Sequence, residues 1–274
     1  MDEATIGVFG GSGLQTFLDD VELVPVDTPY GPPSAAVAIG HVGGRGVAFL
    51  PRHGMSHELP PHRINYRANL WAFRSLGVRR VIAPCASGSL QPNVRPGDLV
   101  LCDQLVDRTS ARRATFFDGP VTNHVSLADP YCEELRETIA GCARQGPLTT
   151  HDRGTVVVIE GPRFSTRAES RWFRSAGWDV VNMTQYPEVA LARELGMCYA
   201  AIAIVTDYDS GVDDLPHVPP VQQDQVFATF AENLPVVRRL LEATIAALPQ
   251  RPSCHCADAT NGLTPEPPLD APGT

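Results

Sequence analysis

The chain contains no lysine: all 22 of its basic side chains are arginine. That absence removes Schiff-base chemistry, pyridoxal phosphate anchored on a lysine and the lysine-dependent P-loop. Any phosphate must be held by arginine, hydroxyls and backbone amides. Long apolar runs are missing too, since none approaches the roughly 20 residues a bilayer-spanning helix needs. The opening MDEATIGVFGG is acidic where a signal peptide would be basic, so a soluble, cytoplasmic protein is expected. An excess of positive charge is likewise lacking. With a net charge of -9, the chain has no basic face with which to release counterions from nucleic acid or an anionic membrane. Neither is expected as a partner, and a small-molecule substrate fits better.

Seven cysteines are an odd number for a disulfide framework. Cys85, Cys102, Cys132, Cys142 and Cys198 are scattered among apolar neighbours and read as reduced core residues. Cys254-His255-Cys256 is the one metal-like cluster, but it sits in a Pro-rich tail without a second ligand pair at finger spacing, so no metal is expected.

At 274 residues and 43% hydrophobic, the chain can bury a full core. Short β-branched runs at 4–9, 35–39, 46–50, 79–83, 98–102, 154–159, 179–181 and 199–205 alternate with stretches of helical apolar spacing at 66–76, 131–142, 165–175, 187–195 and 224–248. The expected class is α/β with a largely buried mixed sheet. One domain over 1–250 is expected, followed by a loosely ordered Pro/Ala-rich tail at 251–274. The Pro, Gly and Asp-rich segment 210–220 reads as a long loop in the position of a lid.

Ligands of such sheets collect where strands end in polar or Gly-rich loops. Here the strand ends carry GGSG, PRHG, CASGS, EGPRFS, NMTQ and TDYD. Gly10-Gly-Ser-Gly13 suggests a backbone nest for an anion, with Ser12 adding a hydroxyl. It lacks the third glycine of a dinucleotide fingerprint. Pro51-Arg-His-Gly54 offers a guanidinium fork for phosphate and a neighbouring imidazole. His53, His57 and His62 could also suggest a metal, but the glutamate of a zincin helix is missing and Pro60 and Pro61 follow. Met183 and Thr184 follow another strand. Asp207 and Asp209 end the run YAAIAIV, and carboxylates there are costly to desolvate unless they meet donors, cations or a ligand. Together these features describe a site for phosphate plus a neutral ligand bearing amino or protonated ring nitrogens.

The stretches GVFGGSG, TPYG, LPRHG, YRANLWA, SGSL, PGDLV, DQLVDRT, FFDG, VIEGPRFSTRAES, VNMTQYPEVALARELG and TDYD run in order along the chain. In these the sequence resembles the methylthioadenosine phosphorylases of the trimeric purine nucleoside phosphorylase superfamily. The resemblance implies a three-layer α/β fold with a distorted central sheet, a homotrimer, and cleavage of a purine nucleoside by inorganic phosphate without metal or organic cofactor. It places phosphate on Ser12, Arg52, His53, the backbone near Ala86, and Thr184. Cys85 stands where the family usually has a phosphate-binding threonine, and its thiol is a poorer donor. Ribose would lie on Met183, and the purine near Phe164 with Ser165 at its edge. Asp207 and Asp209 would face N7 and the 6-amino group, Asp207 as the acid. His124 resembles the residue that one subunit lends to its neighbour's 5′ pocket. Gln223 aligns with a position that is apolar in the methylthio-specific members, so Ser165 and Gln223 bear on specificity.

Two acceptor carboxylates favour a 6-amino over a 6-oxo purine. The leading expectation is therefore 5′-methylthioadenosine phosphorolysis, with an adenosine or general purine nucleoside phosphorylase as the alternative. A nucleosidase would use water instead and would not need the anion-binding set. A non-enzymatic nucleoside-binding protein would have lost the acid or the phosphate ligands, and neither loss is visible.

Overall fold

Residues 4–10, 18–120, 122–211 and 219–264 are described in this computed structural model. Among them the strands are β1 (Ile6–Gly10), β2 (Asp19–Val24), β3 (Val37–Val42), β4 (Arg45–Pro51), β5 (Arg80–Ser89), β6 (Leu99–Leu101), β7 (Gln104–Arg108), β8 (Thr150–His151), β9 (Thr155–Ile159), β10 (Val180–Asn182) and β11 (Cys198–Asp207). The helices are α1 (Tyr66–Ser75), α2 (Glu133–Ala143), α3 (Arg167–Ser175), α4 (Gln185–Glu194) and α5 (Gln223–Ala247).

The main sheet runs β2-β3-β4-β1-β5-β10-β9-β7, while β11 pairs with β5 and β6, and β8 with β6. It is mixed, because β1, β4, β5 and β11 run parallel whereas β10 meets β5 antiparallel. Ten-residue β5 has three neighbours. Arg80 to Ile82 pair with β1, Gly88 and Ser89 pair with β10, and β11 follows from Arg80 to Gly88. Strand twist accumulates with length, and past Val8 and Ile82 β1 and β5 are no longer paired. The resulting crevice houses the site.

Alternation along the long strands buries both faces of the sheet. Tyr199, Ala201, Ala203 and Val205 join Val81 and Ala83 in a core under Leu70 and Trp71 of α1 and Val189 and Leu191 of α4. Ala200, Ile202 and Ile204 join Ile82 in a second core under Leu135 and Ile139 of α2 and Val237 and Leu241 of α5. A strand buried on both faces reads as a continuous apolar run, as 199–205 does. The layers are helix, sheet, helix. Among the described residues no helix is long and apolar enough to cross a membrane.

Three local features differ from the sequence reading. The CASGS stretch is not a loop: β5 continues through it because β11 and then β10 supply backbone partners. β2 and β7 mix apolar and polar side chains and pair at the margins of the sheet, where they stay largely exposed and burial does not mark them. The third difference lies in the first part of the tail, which is packed. A 3-10 turn at Cys256–Thr260 buries Cys256, and the Ser253 amide donates to Glu134 Oε2 at 2.6 Å. Residues 265–274 lie outside the described set.

Candidate active site

β4 ends at Pro51, and the Arg52 amide donates to the Gly10 carbonyl at 3.0 Å, which sets Arg52 at the mouth of the crevice. Its side chain is almost fully buried. Nε donates to Glu188 Oε1, Nη2 donates to Glu188 Oε2 at 3.1 Å, and Nη1 reaches the Pro84 carbonyl at 3.3 Å. Tyr199 Oη donates to Glu188 at 2.8 Å, completing the carboxylate's shell. Burial alone would push the Arg52 pKa down, but the facing Glu188 charge more than offsets it and the guanidinium is held above its ordinary range. A guanidinium has five N–H groups. Three are engaged among the described residues, and the other two can take an anion.

His53 follows at the cavity wall. Its Nδ1 lies 2.8 Å from the Leu59 carbonyl, an acceptor, so Nδ1 carries the proton and Nε2 presents a lone pair. Burial and the adjacent Arg52 charge lower its pKa to about 4, outweighing the pull of the Leu59 bond. His53 is neutral at pH 7. His57 stacks on it at 4.3 Å, and Phe227 meets His57 edge-on at 5.5 Å.

Asp207 and Asp209 occupy the end of β11, where the pairing with β5 shifts register between Val205 and Asp207. Asp207 accepts from Thr206 Oγ1 and from the Asp209 amide, each at 2.7 Å. Burial still raises the Asp207 pKa against those two bonds. Asp209 is raised for the same reason, with the Ser170 and Ser165 hydroxyls opposing the shift and the Asp207 charge adding to it. Even so, Asp209 Oδ2 and Ser165 Oγ are buried without a hydrogen-bond partner of normal geometry among the described residues. Gly88 lets the pair approach β5: a Cβ there would sit 3.0 Å from Asp207 Oδ1 and 3.2 Å from Asp209 Cβ.

Met183 follows the close of β10 and lines the same cavity. Asn182 fixes this corner by donating to the Ala86 carbonyl at 3.0 Å and accepting from the Thr184 and Gln185 amides. Arg112 fixes it from the other side. Its Nη1 donates to the Met183 carbonyl at 2.9 Å and to that of Tyr186, while Nη2 donates to the Glu160 carbonyl at 2.7 Å. One side chain thus clamps the loops after β9 and β10.

The cavity has a volume of about 800 Å³. Of the residues singled out in the sequence, Arg52, His53, Cys85, Ala86, Phe164, Met183, Thr184, Asp207, Asp209 and Gln223 line it. Ser165 does not: it is buried, and its carbonyl accepts from the Ser210 hydroxyl. Its hydroxyl acts on Asp209, which does line the cavity. His124 is exposed and lies outside the cavity. Ser12 and most of the 210–220 loop, residues 212–218, lie outside the described set. The Cys85 thiol donates to the Ile202 carbonyl at 3.8 Å, and burial raises its pKa to about 11.

Sequence reading missed Glu188 and Arg112. Glu188 had a signal, since it shares a helical stripe with Leu191, Ala192 and Leu195, where a lone carboxylate needs a counter-ion. Arg112 had none. The far wall comes from α5, where Gln223, Val226, Phe227, Phe230, Ala231 and Leu234 follow helical spacing along one face.

A family model described as the phosphorylase superfamily matches residues 5–246, that is, β1 through nearly all of α5. The chain is 56% identical over 253 residues to S-methyl-5′-thioadenosine phosphorylase of Mycolicibacterium smegmatis, covering 92% of this chain and 94% of that one. It is 52% identical over 273 residues to purine nucleoside phosphorylase of Streptomyces coelicolor, covering 96% of each. Among solved structures, methylthioadenosine phosphorylase from Schistosoma mansoni in complex with adenine matches at 36% identity with a TM-score of 0.86, covering 93% and 96% of the two chains. The chain belongs to the phosphorylase superfamily.

Proposed function

We propose that the protein cleaves 5′-methylthioadenosine with inorganic phosphate to adenine and 5-methylthioribose 1-phosphate. The observation that carries this reading is that the Arg52–His53 pair, Met183 and the two buried carboxylates line the same cavity. Phosphate takes the two remaining Arg52 N–H groups. Neutral His53 accepts from a P–OH of monohydrogen phosphate through Nε2, and Thr184 and Ser12 complete the anion site. At the other end, burial favours the protonated form of Asp207. Its proton passes to purine N7 as the C1′–N9 bond electrons move into the ring, and a phosphate oxygen captures the oxocarbenium-like C1′. Asp209 Oδ2, lacking a partner, accepts from the 6-amino group. Phosphate is a co-substrate, and the reaction needs no cofactor.

The apolar stripe of α5 suits a thiomethyl group at the 5′ position. Gln223, the one polar side chain on that stripe, favours a second reading in which adenosine or another purine nucleoside with a polar 5′ group is also turned over. We further infer a cytoplasmic homotrimer in which His124, exposed on its own protomer, completes a neighbour's 5′ pocket.

Initial rates with methylthioadenosine, adenosine and inosine at fixed phosphate test the reading. The highest kcat/KM is expected for methylthioadenosine and the lowest for inosine, and a preference for inosine would refute the assigned role of the aspartate pair. Asp207→Asn removes the acid and should lower kcat by about 10²–10⁴-fold with nucleoside KM little changed. Glu188→Gln leaves the Arg52 charge buried without its partner. Urea unfolding should show a loss of roughly 3–5 kcal/mol, and the KM for phosphate should rise more than that for nucleoside.

For His53 the unfolded ring takes a proton at its ordinary 6.5 and the folded ring only near 4. Between those values the unfolded state binds more protons, so this group's contribution to stability is full above pH 6.5 and is lost as pH falls towards 4. The ring resonance of His53, assigned with His53→Gln, should stay flat from pH 8 to 5. A midpoint near 6.5 would contradict its burial.

A further inference from the structure

Four of the seven cysteines meet at the end of β11 opposite the aspartates. Cys132 stands at the N-cap of α2, Cys198 opens β11, and Cys254 and Cys256 flank His255 in the C-terminal segment. Their Sγ atoms all lie within 4.8 Å of one another, and those of Cys198 and Cys254 are 3.3 Å apart. Three of the four are buried and Cys254 is half-buried. The second ligand pair that the sequence did not show is therefore supplied by the fold, from positions 132 and 198.

We propose that these four cysteines bind one zinc ion as a closed structural site. Zn–S bonds of about 2.3 Å in a tetrahedron give sulfur–sulfur edges of roughly 3.8 Å, inside the spread the structure shows. Backbone bonds anchor the ligands before any metal arrives. The Cys132 amide donates to the Tyr199 carbonyl and the Cys198 amide to the Arg79 carbonyl, each at 2.9 Å. His255 is not a ligand: its ring is exposed and its Nδ1 pairs with Asp258 at 2.9 Å.

Four thiols binding Zn²⁺ release four protons and leave a centre of net charge -2. Two arginines supply the compensating charge. Arg80 is the β5 register partner of Cys198, and Arg193 acts electrostatically on Cys256. Arg80 Nη2 and Arg193 Nε are both buried without hydrogen-bond partners among the described residues. The site joins the C-terminal segment to α2 and to the start of β11. Phosphorolysis itself does not use it.

The test is metal analysis of the full-length protein, expressed with zinc in the medium and purified in reductant without chelator. One zinc per chain is expected. Co²⁺ added to stripped, reduced protein should bind in equal amount, with thiolate-to-cobalt charge transfer and the intense visible bands of a tetrahedral thiolate site. The double variant Cys254→Ser, Cys256→Ser should lose zinc and melt at lower temperature while keeping its turnover. Should that variant fail to fold, the zinc count and cobalt spectrum of the unaltered chain still decide. Absence of both in reduced protein would overturn the proposal. So would zinc retained by the double variant, or peptide mapping that finds the same sulfurs paired as disulfides in reductant-purified protein.

Discussion

The buried Arg52–Glu188 pair is the interaction on which the rest of the site depends. Taking both charges out of water costs several kcal/mol each, and that cost is offset only when geometry is good and the remaining lone pairs and protons are satisfied. Both conditions hold. The guanidinium meets the carboxylate through two nitrogens, Tyr199 donates to the carboxylate, and the Pro84 carbonyl takes a further N–H. These partners belong to the end of β4, α4, β11 and β5, so one ion pair ties together the walls of the crevice opened where β1 and β5 separate. A chain without lysine has only guanidinium for this duty, and its planar fork can hold a carboxylate on one side and present N–H groups on another.

The same desolvation acts with the opposite sign at the other end of the cavity. There no arginine pairs with the carboxylates among the described residues, and burial raises their pKa values. A cation held charged and acids pushed towards their neutral form, both facing one space, are what a reaction needs when an anion attacks and a base leaves. His53 belongs to the cationic end yet remains neutral because it is buried and because Arg52 already carries a charge beside it. Geometry is held by residues that need not touch a ligand. Arg112 clamps the Met183 and Glu160 carbonyls, Asn182 ties β10 to Ala86, and Gly88 gives the aspartates room.

How much of this was legible follows from where the signal lies. Strands buried on both faces, such as 199–205, and helices with one apolar face, such as 66–76, announce themselves by composition and period. β2 and β7 are paired at the margins with apolar and charged side chains mixed and mostly exposed, so no buried run marks them. The continuation of β5 through Pro84 to Ser89 comes from its neighbours rather than its residues. At the site, the strand-end motifs pointed to Arg52, His53, Met183, Thr184 and the aspartates, which share one cavity. Ser165 carried the right local chemistry but is turned into the protein. Arg112 was hidden because its partners are backbone carbonyls more than 45 positions away. The cysteine cluster was hidden for a related reason, since its members come together only when α2, β11 and the C-terminal segment pack.

Phosphorus NMR during turnover of methylthioadenosine bears most directly on the claim that one cavity sets a bound phosphate against a protonated leaving base. A sugar phosphate ester resonance should grow in step with free adenine, and no adenine should appear when phosphate is omitted. Adenine released at the same rate without phosphate, with free sugar as the product, would contradict that claim.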